Sequence, residues 1–112
     1  MDDRGIDFVV RNSTGQFYEV QAKSIRGCNY VFVPEAKTAI LPNRLVAVVV
    51  LHQDREPELH LVRMTAWVTP NALLVNRDYR GKQSEPEWGI NVSRKNQSLL
   101  NQYRFETMVA SL

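Results

Sequence analysis

The chain has 112 residues, of which 44% are hydrophobic and 23% are charged, and its formal net charge is +2. This length predicts one domain, residues 1–112, with a hydrophobic core of its own. The single cysteine excludes an internal disulfide and an all-cysteine metal site, and the longest apolar run is too short to span a bilayer. We therefore expect a cytoplasmic protein that makes no membrane contact, and its mild positive charge is compatible with a nucleic-acid partner.

Residues 6–23 predict a β-hairpin. Apolar and polar residues alternate over residues 6–11 and again over residues 17–23, which is the period-two pattern of half-buried strands. The connector reads Asn-Ser-Thr-Gly-Gln and supplies turn-forming residues. If Arg11 lies opposite Phe17, then Asp7 lies opposite Gln21, and opposed residues share a face of the sheet.

The rest of the chain predicts further strands around a mixed sheet. A third strand is expected at 29–33, where it completes a meander, and at most two helical turns are expected within 34–44. Strands are then expected at 45–51 and 58–64, a helical turn at 65–71, and further strands at 72–76 and 87–92. A final helix is expected to carry Leu99, Leu100 and Tyr103 on one side. The run at 45–51 is apolar on both faces, as expected at the centre of a sheet. The predicted fold class is α/β (α+β), with a mixed central β-sheet of about five to seven strands, a hairpin or meander at its start and a C-terminal helix.

Two other groups of residues are candidates for binding. Arg26, and the loop at 77–86 with Arg77, Arg80 and Lys82, offer positive charge that can follow a phosphate backbone, although a solvated loop carries similar residues. His52 and His60 flank a charged turn, but no further ligands lie at metal-binding spacing, so we expect ordinary surface or edge histidines.

The hairpin register places four polar side chains on one face of the sheet, where they could act together on a metal ion or on water. The cluster consists of Asp7, Glu19, Gln21 and Lys23. Carboxylate and amide oxygens bind hard cations such as Mg²⁺, and a lysine can orient attacking water or stabilise developing negative charge. Two interpretations stay open: ordinary polar residues on a solvated sheet face, and the site of a metal-assisted hydrolase.

The order Gly-Ile-Asp, two hydrophobic residues, a short turn and Gln-x-Lys-Ser resembles the core of the PD-(D/E)XK nuclease-like superfamily, which includes restriction endonucleases and Holliday-junction resolvases. The resemblance implies a restriction-endonuclease-like fold and a DNA endonuclease that uses Mg²⁺ or Mn²⁺. It also implies that Asp7 is the first metal-binding acid, that Gln21 stands at the second acidic position, and that Lys23 is the family's lysine. The backbone carbonyl of Ala22 would complete the metal site, with Glu19 as a further ligand.

The chain departs from this family pattern in two ways. Gln21 is neutral, so the site has one negative charge fewer and should hold Mg²⁺ more weakly. The family core also places a helix and a strand ahead of the strand that carries Asp7, and we expect a second copy or another chain to cover the sheet face that this leaves open. The alternative is therefore a catalytically degenerate module that acts in oligomerisation or in nucleic-acid or protein binding. A small α/β protein unrelated to nucleases is the third interpretation.

Overall fold

The computed structural model describes residues 6–35, 39–77 and 86–112, and it places the chain in the α+β class. The strands and α-helices of the described residues are β1 (Phe8–Arg11), β2 (Phe17–Arg26), β3 (Tyr30–Pro34), β4 (Arg44–Leu51), β5 (Glu58–Arg63), β6 (Leu74–Arg77), β7 (Glu87–Asn91), α1 (Gln97–Leu100) and α2 (Phe105–Ala110). Short 3₁₀ helices span Met64–Val68 and Asn101–Tyr103. These elements confirm the predicted fold class, and the strands divide between a four-stranded and a three-stranded sheet.

The N-terminal hairpin has the predicted register. Arg11 pairs with Phe17 in the antiparallel ladder between β1 and β2. In the turn, the side-chain Oδ1 of Asn12 accepts a hydrogen bond from the backbone N–H of Gln16 at 2.8 Å. Gly15 has a φ of 88°, a conformation that glycine adopts without a steric penalty. The turn chemistry read from the sequence therefore fixes how the two strands are aligned.

The four-stranded sheet has the order β1-β2-β4-β5 and is mixed. β2 and β4 run parallel, whereas the pairs β1–β2 and β4–β5 are antiparallel. β4 lies inside this sheet, as its continuous apolar run predicted. The hairpin between β4 and β5 was also predicted, and it is confirmed.

The predicted three-strand meander is wrong. Gly27 has a φ of 59°, and after this turn β3 leaves the first sheet and pairs with β7 in a second sheet of order β3-β7-β6. β4 occupies the place beside β2 that the meander would have given to β3. β4 is apolar on both faces, and both faces are packed against other residues in this position. β3, in contrast, buries only the face that carries Val31 and Val33.

Two apolar clusters lie on opposite faces of the four-stranded sheet. The larger lies between the two sheets and contains Val46, Val48 and Val50 of β4 with residues of the second sheet, including Val31, Val33, Leu74 and Ile90. Trp67 is buried in this cluster and donates its indole N–H to the Gly89 carbonyl at 3.1 Å. The smaller cluster covers part of the other face, where Met108 and Leu112 pack against Tyr18, Val20, Leu45 and Leu61.

The C-terminal segment forms two short helices instead of the single predicted helix. α1 passes into a 3₁₀ turn that ends at Tyr103, and Arg104 then takes an extended conformation with ψ of 138° before α2 begins. Arg104 forms an isolated antiparallel bridge with His60 of β5. The backbone pairing with the edge strand therefore overrides the local helix preference of residues that contain neither Gly nor Pro.

The remaining expectations are largely confirmed. The helical turn after β5 and the extended segments β6 and β7 form where the sequence pattern placed them. Within the stretch predicted as a short helix at 34–44, residues 39–43 form none, and residues 36–38 lie outside the described residues. Most of the predicted loop, residues 78–85, also lies outside them. No helix in the described ranges is long and apolar enough to cross a membrane.

Candidate functional site

Asp7 lies at the point where the hairpin opens. Its carboxylate Oδ2 accepts a hydrogen bond from the backbone N–H of Ala22 at 2.7 Å, and its own N–H donates to the Val20 carbonyl at 2.9 Å. The carboxylate thus takes the place of a backbone carbonyl where β1 no longer pairs with β2. Because a strand residue directs its N–H and C=O to the same side, the carbonyl of Ala22 lies on the edge that Asp7 occupies. The structure brings these two predicted metal ligands to one edge of the sheet.

Glu19 is engaged by a cation from the neighbouring strand. Its Oε1 lies 3.1 Å from Nε of Arg44, which is its partner in the parallel register of β2 and β4. Both side chains are half-buried, so the ion pair is less screened by solvent than an exposed pair. The carboxylate that the resemblance offered as a further ligand is therefore already balanced by Arg44.

Gln21 and Lys23 face the second sheet. In the parallel register Gln21 pairs with Val46 and Lys23 with Val48, and these valines belong to the core between the sheets. The Lys23 ammonium lies 5.5 Å from the ring centroid of Phe32 in β3, which is within cation–π range. Both polar side chains are half-buried. Gln21 and Lys23 are therefore partly shielded from solvent.

The donor set at this edge determines which metal it suits. Asp7 contributes a carboxylate, Ala22 a backbone carbonyl and Gln21 a side-chain amide oxygen, which are hard oxygen ligands of the kind that Mg²⁺ takes. Among the described residues, no three side chains of His, Cys, Asp or Glu converge in a way that could hold a metal ion. A cation here would therefore depend on one carboxylate, and its remaining ligands would be neutral oxygens and water.

Two of the predicted basic residues, Arg26 and Arg77, lie in the described part of the chain. Arg26 lines a cavity of about 390 Å³ at the end of β2, together with Gly27 and His52. The Arg77 guanidinium stacks 4.2 Å from the ring centroid of Tyr30. Arg80 and Lys82 lie outside the described residues.

A second polar cluster, centred on Glu58, was not predicted. Glu58 Oε2 lies 2.6 Å from His52 Nε2 and 3.8 Å from Arg55 Nη2, and its Oε1 lies 3.9 Å from His60 Nε2. Burial opposes ionisation of this carboxyl, but the hydrogen bond from His52 and the charges of His60, His52 and Arg55 hold the pKa of Glu58 below its ordinary value. Glu58 is therefore ionised at neutral pH.

His60 is an edge-strand residue, as expected, but its side chain is fully buried at 0% exposure. Within the described part of the chain, neither ring nitrogen has a hydrogen-bond partner at standard geometry. Burial lowers the pKa of the His60 imidazole, and the Glu58 carboxylate partly opposes that shift. The pairing of β5 with β4 accounts for this burial, because it places His60 opposite Val48 and on the same face as Val62.

Comparisons of this chain with protein-family models, with curated proteins and with solved structures find no match.

Proposed function

We propose that the chain is a nuclease-like module that binds Mg²⁺ or Mn²⁺ at the edge of its hairpin and hydrolyses a phosphodiester bond of nucleic acid, with DNA as the expected substrate. The observation that supports this proposal is the hydrogen bond between the Asp7 carboxylate and the Ala22 backbone. It holds a carboxylate beside the Gln-x-Lys segment, the arrangement that the resemblance to PD-(D/E)XK nucleases requires.

Each residue of this edge has a role in the proposal. Asp7 supplies the charged ligand, and its second carboxylate oxygen is available beyond the one that accepts from Ala22. The amide of Gln21 and the carbonyl of Ala22 supply neutral oxygen ligands. Lys23 orients the attacking water and stabilises the negative charge that develops on the phosphate. The cation, when bound, would neutralise phosphate charge and lower the pKa of a water ligand.

Calorimetric titration with Mn²⁺ and Mg²⁺ tests the metal site, using wild type and Asp7→Asn. The Asn variant keeps an oxygen that can accept from the Ala22 N–H but loses the charge, so its fold should be preserved while cation binding is lost. Asp54→Asn, in the exposed turn between β4 and β5, removes one charge elsewhere and should bind as wild type does. Equal binding by wild type and Asp7→Asn would refute the assignment of Asp7.

Lys23→Met separates binding from chemistry. We expect this variant to bind the cation and to lose metal-dependent cleavage of duplex, single-stranded and branched DNA. Thermal unfolding of each variant checks that the fold is retained. Metal-dependent cleavage that survives both Asp7→Asn and Lys23→Met would exclude the hairpin as the catalytic site.

A second candidate function is self-association through the sheet, without catalysis. α2 covers only one end of the outer face of the four-stranded sheet, and the other end carries apolar side chains, with Leu51 36% and Leu59 49% exposed. Leu59 pairs with Val49 and therefore continues this apolar row across the sheet. Uncovered apolar sheet faces are usually buried by a partner, and a second copy can supply the same face.

Sedimentation velocity at micromolar concentration tests this second function. We expect a wild-type dimer that Leu59→Lys dissociates and that Val68→Lys leaves intact. Val68 is the control because it is also exposed and apolar but lies in the 3₁₀ helix after β5. A wild-type protein that is monomeric under these conditions would reject self-association through this face.

A further inference from the structure

The cluster around Glu58 opens into a cavity of about 460 Å³ at the edge of β5. It is lined by residues with charged or amide side chains, namely Arg55, Glu58, Gln97, Asn101 and Arg104. The volume lies within the range of pockets that bind small molecules or a part of a larger one. Most such pockets are lined mainly by hydrophobic and aromatic residues, whereas every described residue that lines this cavity carries a charged or amide group.

Arg104 is placed in this cavity by the interruption of the C-terminal helical segment. Its extended backbone, with ψ of 138°, forms the bridge to His60, and its side chain lines the cavity. Within the described part of the chain, the Arg104 guanidinium has no ion-pair or hydrogen-bond partner. Arg55 lies on the turn between β4 and β5, and its contacts with other described residues are long, at 3.4 Å to His52 and 3.8 Å to Glu58. Two guanidinium groups from separate elements therefore face one polar cavity.

His60 supports the view that this cavity is a binding site. Its imidazole is completely buried, and Nε2 lies 3.9 Å from the Glu58 carboxylate. Among the described residues, neither ring nitrogen has a hydrogen-bond partner at standard geometry, although the Leu100 backbone interacts with the ring. Folded proteins rarely leave buried polar atoms unsatisfied, and such atoms need an explanation. His60 does not itself line the cavity, and Glu58 connects it to the lining.

The charges of the lining select the class of ligand. Among the described residues, Glu58 is the single carboxylate of the lining, and its Oε2 lies at hydrogen-bond distance, 2.6 Å, from His52 Nε2. The guanidiniums of Arg55 and Arg104 then give the cavity a net positive charge. Arginine recognises phosphate through parallel N–H···O bonds, and the amides of Gln97 and Asn101 can add neutral donors.

We propose that this cavity is a phosphate-binding site, in which Arg55 and Arg104 hold the oxygens of a phosphate group carried by a nucleotide or by a nucleic-acid strand. The proposal does not depend on the hairpin site. Asp7 lies beside β1, at the opposite edge of the four-stranded sheet from β5, so the two sites can be tested separately.

The two histidines of the chain provide a local reporter, because both belong to the Glu58 cluster. Their ring Hε1 signals can be followed by NMR at constant pH and low salt during titration with inorganic phosphate, adenosine monophosphate and a short single-stranded oligothymidylate. We expect saturable shifts of these signals in wild type and in Asp7→Asn. A tighter response to the oligonucleotide would identify a nucleic-acid strand as the source of the phosphate, and a tighter response to the mononucleotide would identify a free nucleotide.

Arg104→Gln should weaken binding of the best probe by about tenfold or more, because a charge-assisted contact is lost. Arg55→Gln should act in the same direction. Arg94→Gln, which removes an exposed arginine that does not line the cavity, should stay within about twofold of wild type, because its guanidinium would make no direct contact with the phosphate. The absence of a saturable shift with all three probes, or equal weakening by Arg104→Gln and Arg94→Gln, would overturn the proposal. Loss of cation binding in Asp7→Asn with unchanged phosphate binding would leave it standing.

Discussion

Mild acidification should destabilise the fold through His60 before it affects the carboxylates. The imidazole is fully buried and lacks a standard hydrogen bond, while Glu58, Arg104 and Glu106 supply the charges that act on it. Burial dominates and lowers the pKa of His60 from its ordinary value of 6.5. The unfolded chain therefore binds a proton on this histidine at a pH at which the folded protein does not.

The sign and size of the effect follow from proton linkage. Above about pH 6.5 the ring is neutral in both states, and the full stability is present. As the pH falls below that value, the unfolded state gains up to one proton more than the folded state. The free energy of unfolding then decreases by at most about 1.4 kcal/mol per pH unit until the folded pKa is reached. Glu58 affects the free energy of unfolding at lower pH than His60 does. Its depressed pKa stabilises the fold above about pH 4.5, and this stabilisation is lost as the pH falls through the folded pKa.

Urea unfolding at intervals between pH 5 and pH 8 measures this effect. We expect wild type to lose stability between pH 6.5 and 5.5, by up to about 1 kcal/mol, and His60→Phe to show little change over the same interval. His52→Gln, which removes the other histidine, should keep the wild-type loss. The comparison uses the slope against pH, so the variants need not be equally stable. If His60→Phe has the same pH dependence as wild type, burial of His60 does not control acid stability and the reasoning is refuted.

Three substitutions test the packing of the fold by denaturant unfolding. Gly89→Ala should lower the free energy of unfolding by about 1–3 kcal/mol, because its new Cβ would clash with the Tyr30 hydroxyl. When Gly89→Ala is made in a Tyr30→Ala background, most of this loss should disappear. If Gly89→Ala is as stable as wild type, that packing is wrong. Leu73→Ala should lower the free energy of unfolding by about 2–5 kcal/mol, because Leu73 is fully buried. A decrease below about 1 kcal/mol would contradict this packing. Asn71→Ala should lower the free energy of unfolding by about 1–2 kcal/mol, because Asn71 Oδ1 accepts hydrogen bonds from the N–H groups of Leu73 and Leu74. Asn71→Asp keeps an oxygen acceptor and should lower it much less.

Local patterns predicted the parts of the fold that depend on local chemistry. The hairpin register followed from the alternation on both sides of a turn with Asn12 and Gly15, and the interior strand β4 followed from an uninterrupted apolar run. The division into two sheets did not follow, because strand propensity is the same whichever neighbour β3 pairs with. Gly27 marks the departure of β3, but its sequence signal, Arg-Gly, is equally compatible with the turn of a meander.

The cluster around Glu58 was missed for a related reason. Residues 59–62 of β5 read Leu-His-Leu-Val, in which both alternating faces contain apolar residues, so the pattern did not indicate which face is buried. The pairing with β4 decides this and turns His60 toward the core. Arg104 reaches the same place only because the C-terminal segment pairs with β5, a contact between residues 44 positions apart that no local periodicity contains.

Counting acids in the sequence also overstates the charge available to a cation at the hairpin. Asp7 precedes β1 and Glu19 lies in β2, but Arg44 compensates Glu19, and Gln21 brings no charge. Mg²⁺ gives up its water reluctantly and is commonly held by one or two carboxylates together with substrate phosphates. A site with Asp7 as its uncompensated carboxylate therefore needs the phosphate of the substrate to complete its ligands. The cation and the nucleic acid would then bind together. Asp7→Asn removes the charge of Asp7 and keeps the contact to Ala22, so this variant tests whether that charge allows the hairpin to act as a nuclease.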